Sequence, residues 1–295
     1  MHIKTLVTSI ALALGLAGQG AFAHESVAMR AQDGEVKVQL IRNATVKITY
    51  ADTIFLIDPM LAKKGAYPGF EGTYRSHLRN PLVELPMPAE AVFGDVDAII
   101  VTHTHLDHWD DAAQALLPKN IPLFTQHEAD AELIRSQGFT DVRILADTAE
   151  FGGVTLSRTG GQHGTDEMFA SPELAGFLGD AMGVVFEAPE HETLYLVGDT
   201  IWRNEVGQAL AEYHPQVVVA NAGYARLNGY DGAIIMGKED VVRLAEQAPE
   251  ATVVAVHMDA INHMGQSRDE LSGYVREQEL EQRIEIPTDG ETLIF

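Results

Sequence analysis

The spacing of apolar and polar positions changes along the chain. Over residues 35–57 the two alternate with a period of two, interrupted at residues 42–43 and 51–52, which predicts three antiparallel strands. From residue 96 onward, short apolar runs alternate with segments of helical period. That alternation is typical of α/β proteins, in which helices pack on a sheet.

The rest of the pattern gives the order of these elements. The predicted strands are residues 96–101, 122–125, 142–145, 183–187, 193–197, 217–220 and 252–256. The predicted helices are residues 110–117, 128–136, 238–247 and 268–280, and a closing hairpin is predicted from residues 283–286 and 291–294. Two β-rich blocks, each followed by helices, predict an α/β fold: a four-layer αββα sandwich with its two sheets facing each other.

Residues 59–93 follow neither the strand period nor the helix period and contain closely spaced prolines and glycines. A long irregular segment inside a compact domain is usually functional or disordered. The aromatic residues Tyr67, Phe70 and Tyr74, together with Arg75, favour a loop over a pocket. We therefore expect a single domain over residues 24–295 with a 59–93 insertion that covers the pocket.

The first 23 residues have the pattern of an export signal. A short polar start is followed by an apolar stretch over residues 5–18, and Ala21-Phe22-Ala23 forms a cleavage site before His24. The apolar stretch is short for a bilayer span, so no stable membrane anchor is expected. The sequence contains no cysteine, which excludes disulfides and a lipid-modified cysteine. These features predict a periplasmic or secreted protein.

The charge of the chain bears on its partners. A formal net charge of −23 repels the phosphates of nucleic acids and anionic membranes. We therefore expect a small-molecule substrate and no nucleic acid partner, although the acidic balance is equally explained by solubility. The oligomeric state is left open.

The segment THTHLDHWDD, residues 102–111, gathers histidines and aspartates directly behind a predicted buried strand. His103 and His105, two positions apart on an extended chain, point the same way. Asp107 and His108 lie just beyond, where the chain turns toward a helix, so that one peptide offers two ligands to one ion and two to its neighbour. Nitrogen and oxygen ligands without thiolate suit zinc, iron or manganese.

Other polar residues follow apolar strands elsewhere in the chain. Asp58, Asp199 and His257 each end a predicted strand, and His163 lies in a glycine-rich loop. An α/β protein commonly opens its crevice at the carboxyl ends of its strands. The alternative is a solvated helix start with incidental histidines, but the convergence of so many ligand types favours a metal site.

In this order, HxHxDH, a loop histidine, GDT and a strand-end histidine resemble the metallo-β-lactamase fold superfamily over essentially the whole mature chain. The resemblance implies two divalent metal ions, zinc in the first place and manganese or iron as alternatives. It implies that one ion binds His103, His105 and His163, that the other binds Asp107, His108 and His257, that Asp199 bridges them, and that Asp58 orients ligands from behind. THTHLDHWD, RNPLVELP and VVAVHMDAINH resemble, more narrowly, the L-ascorbate-6-phosphate lactonase-like hydrolases.

The expected activity is that of a metal-dependent hydrolase. A metal-activated hydroxide would attack an ester, lactone, amide or related small substrate. Asp107 would steer the proton of the hydroxide, and His263 would contact the substrate or donate a proton, although a surface histidine fits that position equally well. A phosphodiesterase of the same superfamily and a non-catalytic metal-binding protein are the alternatives.

Overall fold

The computed structural model describes residues 34–295, so the predicted signal peptide of residues 1–23 and the start at His24 lie outside the described residues. The strands are β1 (Lys37–Arg42), β2 (Thr45–Tyr50), β3 (Thr53–Ile57), β4 (Ala98–Val101), β5 (Leu123–Thr125), β6 (Val142–Ile144), β7 (Thr148–Phe151), β8 (Val154–Thr159), β9 (Gly183–Glu187), β10 (Leu194–Leu196), β11 (Val217–Asn221), β12 (Thr252–Val256), β13 (Ile284–Glu285) and β14 (Thr292–Ile294). The helices are α1 (Ala89–Phe93), α2 (Asp111–Leu116), α3 (Glu128–Ser136), α4 (Asp166–Phe169), α5 (Pro172–Leu178), α6 (Asn204–Tyr213), α7 (Lys238–Gln247) and α8 (Arg268–Glu277).

The strands form two seven-stranded sheets. The first has the order β14-β1-β2-β3-β4-β5-β6, and the second has the order β13-β12-β11-β10-β9-β8-β7. Pairing is antiparallel among β1, β2 and β3, as predicted, and parallel from β3 to β6. In the second sheet it is antiparallel from β7 to β10 and parallel from β10 to β13. The parallel strands of each sheet therefore bring their carboxyl ends to one edge.

Three buried clusters show how the layers pack. Val217 and Val219 lie in a core that joins the two sheets, whereas Val218 and Ala220, on the opposite face of β11, pack with residues of α6, α7 and α8. A third cluster joins the first sheet to α1, α2 and α3. A strand buried on both faces is a continuous apolar run in the sequence, which is why β11 is apolar along most of its length. The predicted four-layer αββα arrangement is confirmed.

The predicted closing hairpin is wrong. β13 pairs in parallel with β12 in the second sheet, whereas β14 pairs antiparallel with β1 in the first sheet. The turn residues before β14 are correctly identified, but each strand completes a different sheet edge. Ile284 packs between the second sheet and its helices, and Leu293 packs against the core between the sheets. These long-range contacts outweigh the local hairpin signal.

Several helices were not predicted from the sequence. α4 and α5 begin after Thr165 and Ser171, whose hydroxyl groups accept hydrogen bonds from the backbone N–H three residues on. Both helices are short, so their apolar period is hard to distinguish from that of strands and turns. α6 begins after Arg203, whose side chain makes no capping hydrogen bond. A further helix, α1, lies inside the segment predicted to be irregular.

Residues 59–93 are tied to the sandwich by buried polar groups. Arg42, fully buried, donates from Nη2 to the carbonyls of Met60 and Ala62 and from Nη1 to that of Val83. Asp110 accepts the backbone N–H groups of the same region. Within residues 34–295, none of the helices has the length and hydropathy that a membrane span requires.

Candidate metal centre

The structure brings all seven predicted ligands together at the carboxyl ends of the parallel strands. Residues 103–108 follow β4, Asp199 follows β10, and His257 follows β12. His163 reaches the same place from the loop after β8. Ligand atoms lie within 4.8 Å of one another in three groups: His103, His105 and His163; His103, His108 and Asp199; and Asp107, His108 and His257.

Asp199 lies between the two histidine groups. Its Oδ2 is 3.1 Å from His108 Nε2, 3.7 Å from His257 Nε2, 3.8 Å from His163 Nε2 and 3.9 Å from His103 Nε2. Its other oxygen, Oδ1, accepts a hydrogen bond from Asn221 Nδ2 at 2.6 Å. One carboxylate oxygen is therefore directed at the centre while the other is held from behind.

Each of the five imidazoles is fixed through its outer nitrogen. The contacts are His103 Nδ1 to Thr102 Oγ1 at 3.2 Å, His105 Nε2 to Phe177 O at 3.0 Å, His108 Nδ1 to Asp58 Oδ2 at 2.9 Å, His163 Nδ1 to Ile234 O at 3.0 Å, and His257 Nδ1 to Asn43 Oδ1 at 2.7 Å. The Thr102 hydroxyl itself donates to Asp58 Oδ2, so it accepts from His103. Because these partners accept hydrogen bonds, the outer nitrogens carry the protons, and the inner nitrogens direct lone pairs at the centre.

The inner nitrogens crowd one another. His103 Nε2 lies 3.0 Å from His105 Nδ1, and His108 Nε2 lies 3.1 Å from His257 Nε2. Two lone pairs facing each other in a buried space repel, and a proton or a metal cation between them removes the repulsion. Five imidazoles and two carboxylates without thiolate form a donor set that fits divalent zinc, iron or manganese.

The pKa values in the site follow from burial and from neighbouring charges. Burial, reinforced by His108 and His105, lowers the pKa of His103 well below its usual value. Burial also lowers the pKa of His163 to about 4. For His108 burial acts in the same direction, but the carboxylates of Asp199, Asp107 and Asp58 outweigh it and raise the pKa. Burial thus keeps His103 and His163 neutral, whereas the carboxylates draw positive charge, a proton or a cation, to His108.

The two predicted catalytic residues meet at one cavity beside these ligands. Asp107 Oδ2 lies 3.6 Å from His257 Nε2, and the carboxylate also lines the cavity. Burial would raise the pKa of Asp107, but the imidazoles of His108, His263 and His257 outweigh it and lower the pKa. His263 is buried, and its Nδ1 has no hydrogen-bond partner among residues 34–295. Burial lowers the pKa of His263 to about 4.

The cavity has a volume of about 240 Å³ and mostly apolar walls. Its lining residues are Phe70, Thr73, His105, Leu106, Asp107, His163, Phe177, Leu178, Leu227, Ile234 and His263. Neither lysine nor arginine is present in this lining, within the part of the chain that the structure describes. Two residues of the 59–93 segment, Phe70 and Thr73, form part of the wall.

Several supporting residues were not predicted from the sequence. Asn43, in the turn between β1 and β2, donates from Nδ2 to the carbonyl of Asp107 and accepts from His257. Asn221 ends β11, and its position at a strand end is the signal that could have identified it. Asn43 had no such signal, because asparagine is common in turns. The carbonyls of Phe177 and Ile234 carry no sequence signal at all.

Comparison with known proteins identifies the family. A family model described as "Beta-lactamase superfamily domain" matches residues 53–258. UPF0173 protein YddR of Bacillus subtilis (strain 168) is 43% identical over 261 residues, which cover 88% of this chain and 100% of the relative. A "UPF0173 metal-dependent hydrolase", MJ1163 of Methanocaldococcus jannaschii, is 28% identical over 156 residues, or 53% of this chain and 67% of that protein.

Two solved structures are more similar still. The "possible metal-dependent hydrolase" from Veillonella parvula DSM 2008 is 50% identical with a TM-score of 0.86, over 87% of this chain and 98% of that one. The isothiocyanate hydrolase from Delia radicum gut bacteria is 49% identical with a TM-score of 0.85, over 88% of this chain and 99% of that one. The narrower resemblance to L-ascorbate-6-phosphate lactonase-like hydrolases stays a prediction. With these matches and the donor set described above, the chain belongs to the metallo-β-lactamase superfamily and is a metal-dependent hydrolase.

Proposed function

We propose that the protein hydrolyses small organic isothiocyanates at a centre of two divalent metal ions. The observation that carries this proposal is the cavity: it is small and apolar, no described residue gives it a cationic lining, and it ends at His105, Asp107 and His163. An isothiocyanate, R–N=C=S, is neutral, has an electrophilic carbon, and carries an organic substituent that apolar walls can hold. The similarity to the isothiocyanate hydrolase supports the same substrate class.

The proposed ligand sets follow the groups of neighbouring donor atoms. His103, His105 and His163 would hold the first ion, and Asp107, His108 and His257 the second. Asp199 would bridge the two ions through Oδ2, because Oδ1 is bound to Asn221. Asp58 would orient His108 through the hydrogen bond to Nδ1. When bound, the two ions, proposed to be zinc, supply a hydroxide near neutral pH.

The chain's own residues would then guide the atoms of the reaction. The oxygen of water adds to the isothiocyanate carbon, and Asp107 holds the proton that leaves that oxygen. His263, on the cavity wall and neutral near pH 7 because of its lowered pKa, hydrogen-bonds the substrate nitrogen and relays to it both protons of the water, the first from Asp107 and the second from the added hydroxyl group. Cleavage of the C–N bond releases an amine and carbonyl sulfide, so that the balance is RNCS + H₂O → RNH₂ + COS. The apolar walls hold the substituent and exclude bulk water.

The test is hydrolysis of benzyl isothiocyanate by the zinc-loaded protein, with amine and carbonyl sulfide measured as products. An ester, a lactone and a phosphodiester are assayed beside it. His103→Ala is expected to reduce turnover by about 100-fold or more with the far-UV circular dichroism unchanged, because a metal ligand is lost. His77→Ala removes an exposed histidine that does not line the cavity, and is expected to have no effect.

The relative rates on the isothiocyanate, the ester, the lactone and the phosphodiester decide between the candidate functions. Faster turnover of the ester or lactone would replace the isothiocyanate assignment, and metal binding without any turnover would favour a metal-binding protein. A phosphodiesterase is disfavoured because none of the described residues lining the cavity offers a cationic side chain to a phosphate. Export and removal of residues 1–23 stay predictions, for which the mass of the protein in a periplasmic fraction is the test.

A further inference from the structure

Asn262 directly precedes His263 and is fully buried. Its side chain uses every hydrogen-bonding position that it has. Oδ1 accepts from the backbone N–H of Phe70 at 3.0 Å and from Asn80 Nδ2 at 2.8 Å. Nδ2 donates to Thr73 Oγ1 at 2.8 Å and to the carbonyl of Tyr74 at 2.7 Å. A single amide thus joins four residues of one segment.

The backbone of Asn262 binds the same segment. Its N–H donates to Asn80 Oδ1 at 2.8 Å, and its carbonyl accepts from Arg75 Nε at 3.1 Å. All these partners lie within residues 70–80, which we call the 70–80 wall. The wall, all of which the structure describes, contains no helix or extended strand. Asn262 supplies much of the support that regular secondary structure would give, beside the backbone bonds from Tyr74 N–H to Arg226 O and from Asn228 N–H to Gly72 O.

The wall and His263 face the cavity together. Phe70 and Thr73 line it from one side, and the ring of His263 lies 5.2 Å from that of Phe70. Thr73 connects Asn262 to Phe70, since its hydroxyl accepts a hydrogen bond from Asn262 and donates one to the carbonyl of Phe70 at 2.6 Å. The position of Phe70 relative to His263 therefore depends on the amide of Asn262.

We propose that Asn262 is a positioning residue that sets the width of the cavity and thereby the enzyme's preference for the size of the substrate's apolar substituent. The inference rests on the proposed function for the identity of the substrate, but not for the position of the wall. The metal ligands are fixed by other partners, so a displaced wall changes the fit of a long substituent and leaves a short one unaffected.

The experiment compares methyl and 2-phenylethyl isothiocyanate on the zinc-loaded full chain. In Asn262→Ala, KM for the phenylethyl substrate is expected to rise about 10- to 100-fold, since a shift near 1 Å in a binding surface has effects of that size. kcat for the methyl substrate and the bound metal are expected to stay within about twofold of wild type. Asn262→Asp keeps Oδ1 as an acceptor but sets a carboxylate oxygen against the carbonyl of Tyr74 in a buried site, so it should shift the ratio of the two KM values at least as far. Asn120→Ala, at an asparagine far from the wall in the sequence and outside the cavity lining, is the matched control.

A second variant covers the case in which Asn262→Ala does not fold. Thr73→Val keeps the side-chain shape and removes only the hydroxyl that links Asn262 to Phe70. It is expected to shift the ratio of the two KM values in the same direction. Amide hydrogen exchange of residues 66–82 is measured for every variant that folds, and it should accelerate there while exchange in β4 and β12 stays at the wild-type rate.

Three results overturn the inference. They are unchanged exchange in residues 66–82, an unchanged ratio of the two KM values, and equal loss of kcat for both substrates together with loss of metal, which would indicate a general structural role. If the wild-type protein hydrolyses neither isothiocyanate, the proposed function fails. The exchange data then decide whether Asn262 positions the wall.

Discussion

Asn43 lies in the turn between β1 and β2 with a φ of 64°, and it contacts two proposed ligands of the second metal ion. Its amide donates to the backbone of Asp107 and accepts from His257, so it holds residues of both sheets without adding charge. Asn221 acts similarly on Asp199. In a centre already rich in carboxylates, a neutral amide orients ligands without adding to the repulsion among them.

Asn43→Gly tests this support. Glycine adopts a positive φ at no cost, so the turn is retained and only the amide is lost. We expect affinity for the second metal ion to fall about 10- to 100-fold, the usual effect of removing a partner that orients a ligand. Metal titration followed by calorimetry measures this affinity. Ala51→Gly, in the next turn with a φ of 47°, is the control and should bind as wild type does; equal affinity in both variants contradicts the role of Asn43.

His263 should make stability depend on pH. Burial lowers its pKa in the folded protein to about 4, from 6.5 in the unfolded chain. Between these values the unfolded state binds a proton that the folded state does not, so stability falls as pH drops through this window. Between pH 7 and pH 5 the free energy of unfolding should fall by about 2 kcal/mol less in His263→Gln than in the wild type, because glutamine does not titrate. Urea unfolding at both pH values checks this, and parallel losses in variant and wild type would exclude it.

At the level of elements, the ends of the strands decide where the ligands lie. β10 ends at Leu196, and Gly198 then turns the chain with a φ of 76° just before Asp199. A Cβ at Gly198 would lie 2.3 Å from the carbonyl oxygen of Met182. The close approach of these two backbones places Asp199 between the histidines.

Gly198→Ala and Gly229→Ala separate backbone strain from steric conflict. Gly229 also has a positive φ, of 85°, but a Cβ added there would meet no other atom within 4 Å among the described residues. We expect Gly229→Ala to cost about 1 kcal/mol of unfolding free energy. Gly198→Ala should cost more than about 3 kcal/mol, because backbone atoms must move as well. Equilibrium unfolding in urea measures both, and similar values would show that the contact with Met182 is relaxed easily.

The sequence predicted those parts of the fold that depend on local pattern. β4, β10 and β12 are recognisable because short apolar runs precede polar residues, and the predicted ligands follow those strands. The destination of β13 and β14 could not be predicted, since it depends on which sheet edge remains free. The short helices α4 and α5 are defined by Thr165 and Ser171 rather than by a periodic apolar face. Asn43 and the carbonyl of Phe177 join the site only through tertiary structure.

At the scale of the whole molecule, the proposed ligands come from both halves of the sandwich. Residues 103–108 follow a strand of the first sheet, whereas His163, Asp199 and His257 follow strands of the second. Bound cations would therefore link the two sheets, and metal binding contributes to folding stability.

Metal removal should consequently lower the melting temperature. Free metal at about 1,000 times its dissociation constant stabilises the folded state by about 4 kcal/mol, which corresponds to roughly 10 °C for a chain of this size. Scanning calorimetry with and without a chelator measures the shift, and added zinc should reverse it. His103→Ala should show a smaller response to the chelator, and an equal one would mean that the stabilising metal lies elsewhere.

Of the five imidazoles, only that of His105 is partly exposed. Its partner is the carbonyl of Phe177 at the end of α5, and the Phe177 residue is 63% exposed at the mouth of the cavity. The ring of Phe177 also stacks on that of His105, with centroids 6.0 Å apart. Phe177 therefore contacts His105 twice, through its carbonyl and through its exposed ring, so that the mouth of the cavity and one proposed metal ligand share a single residue.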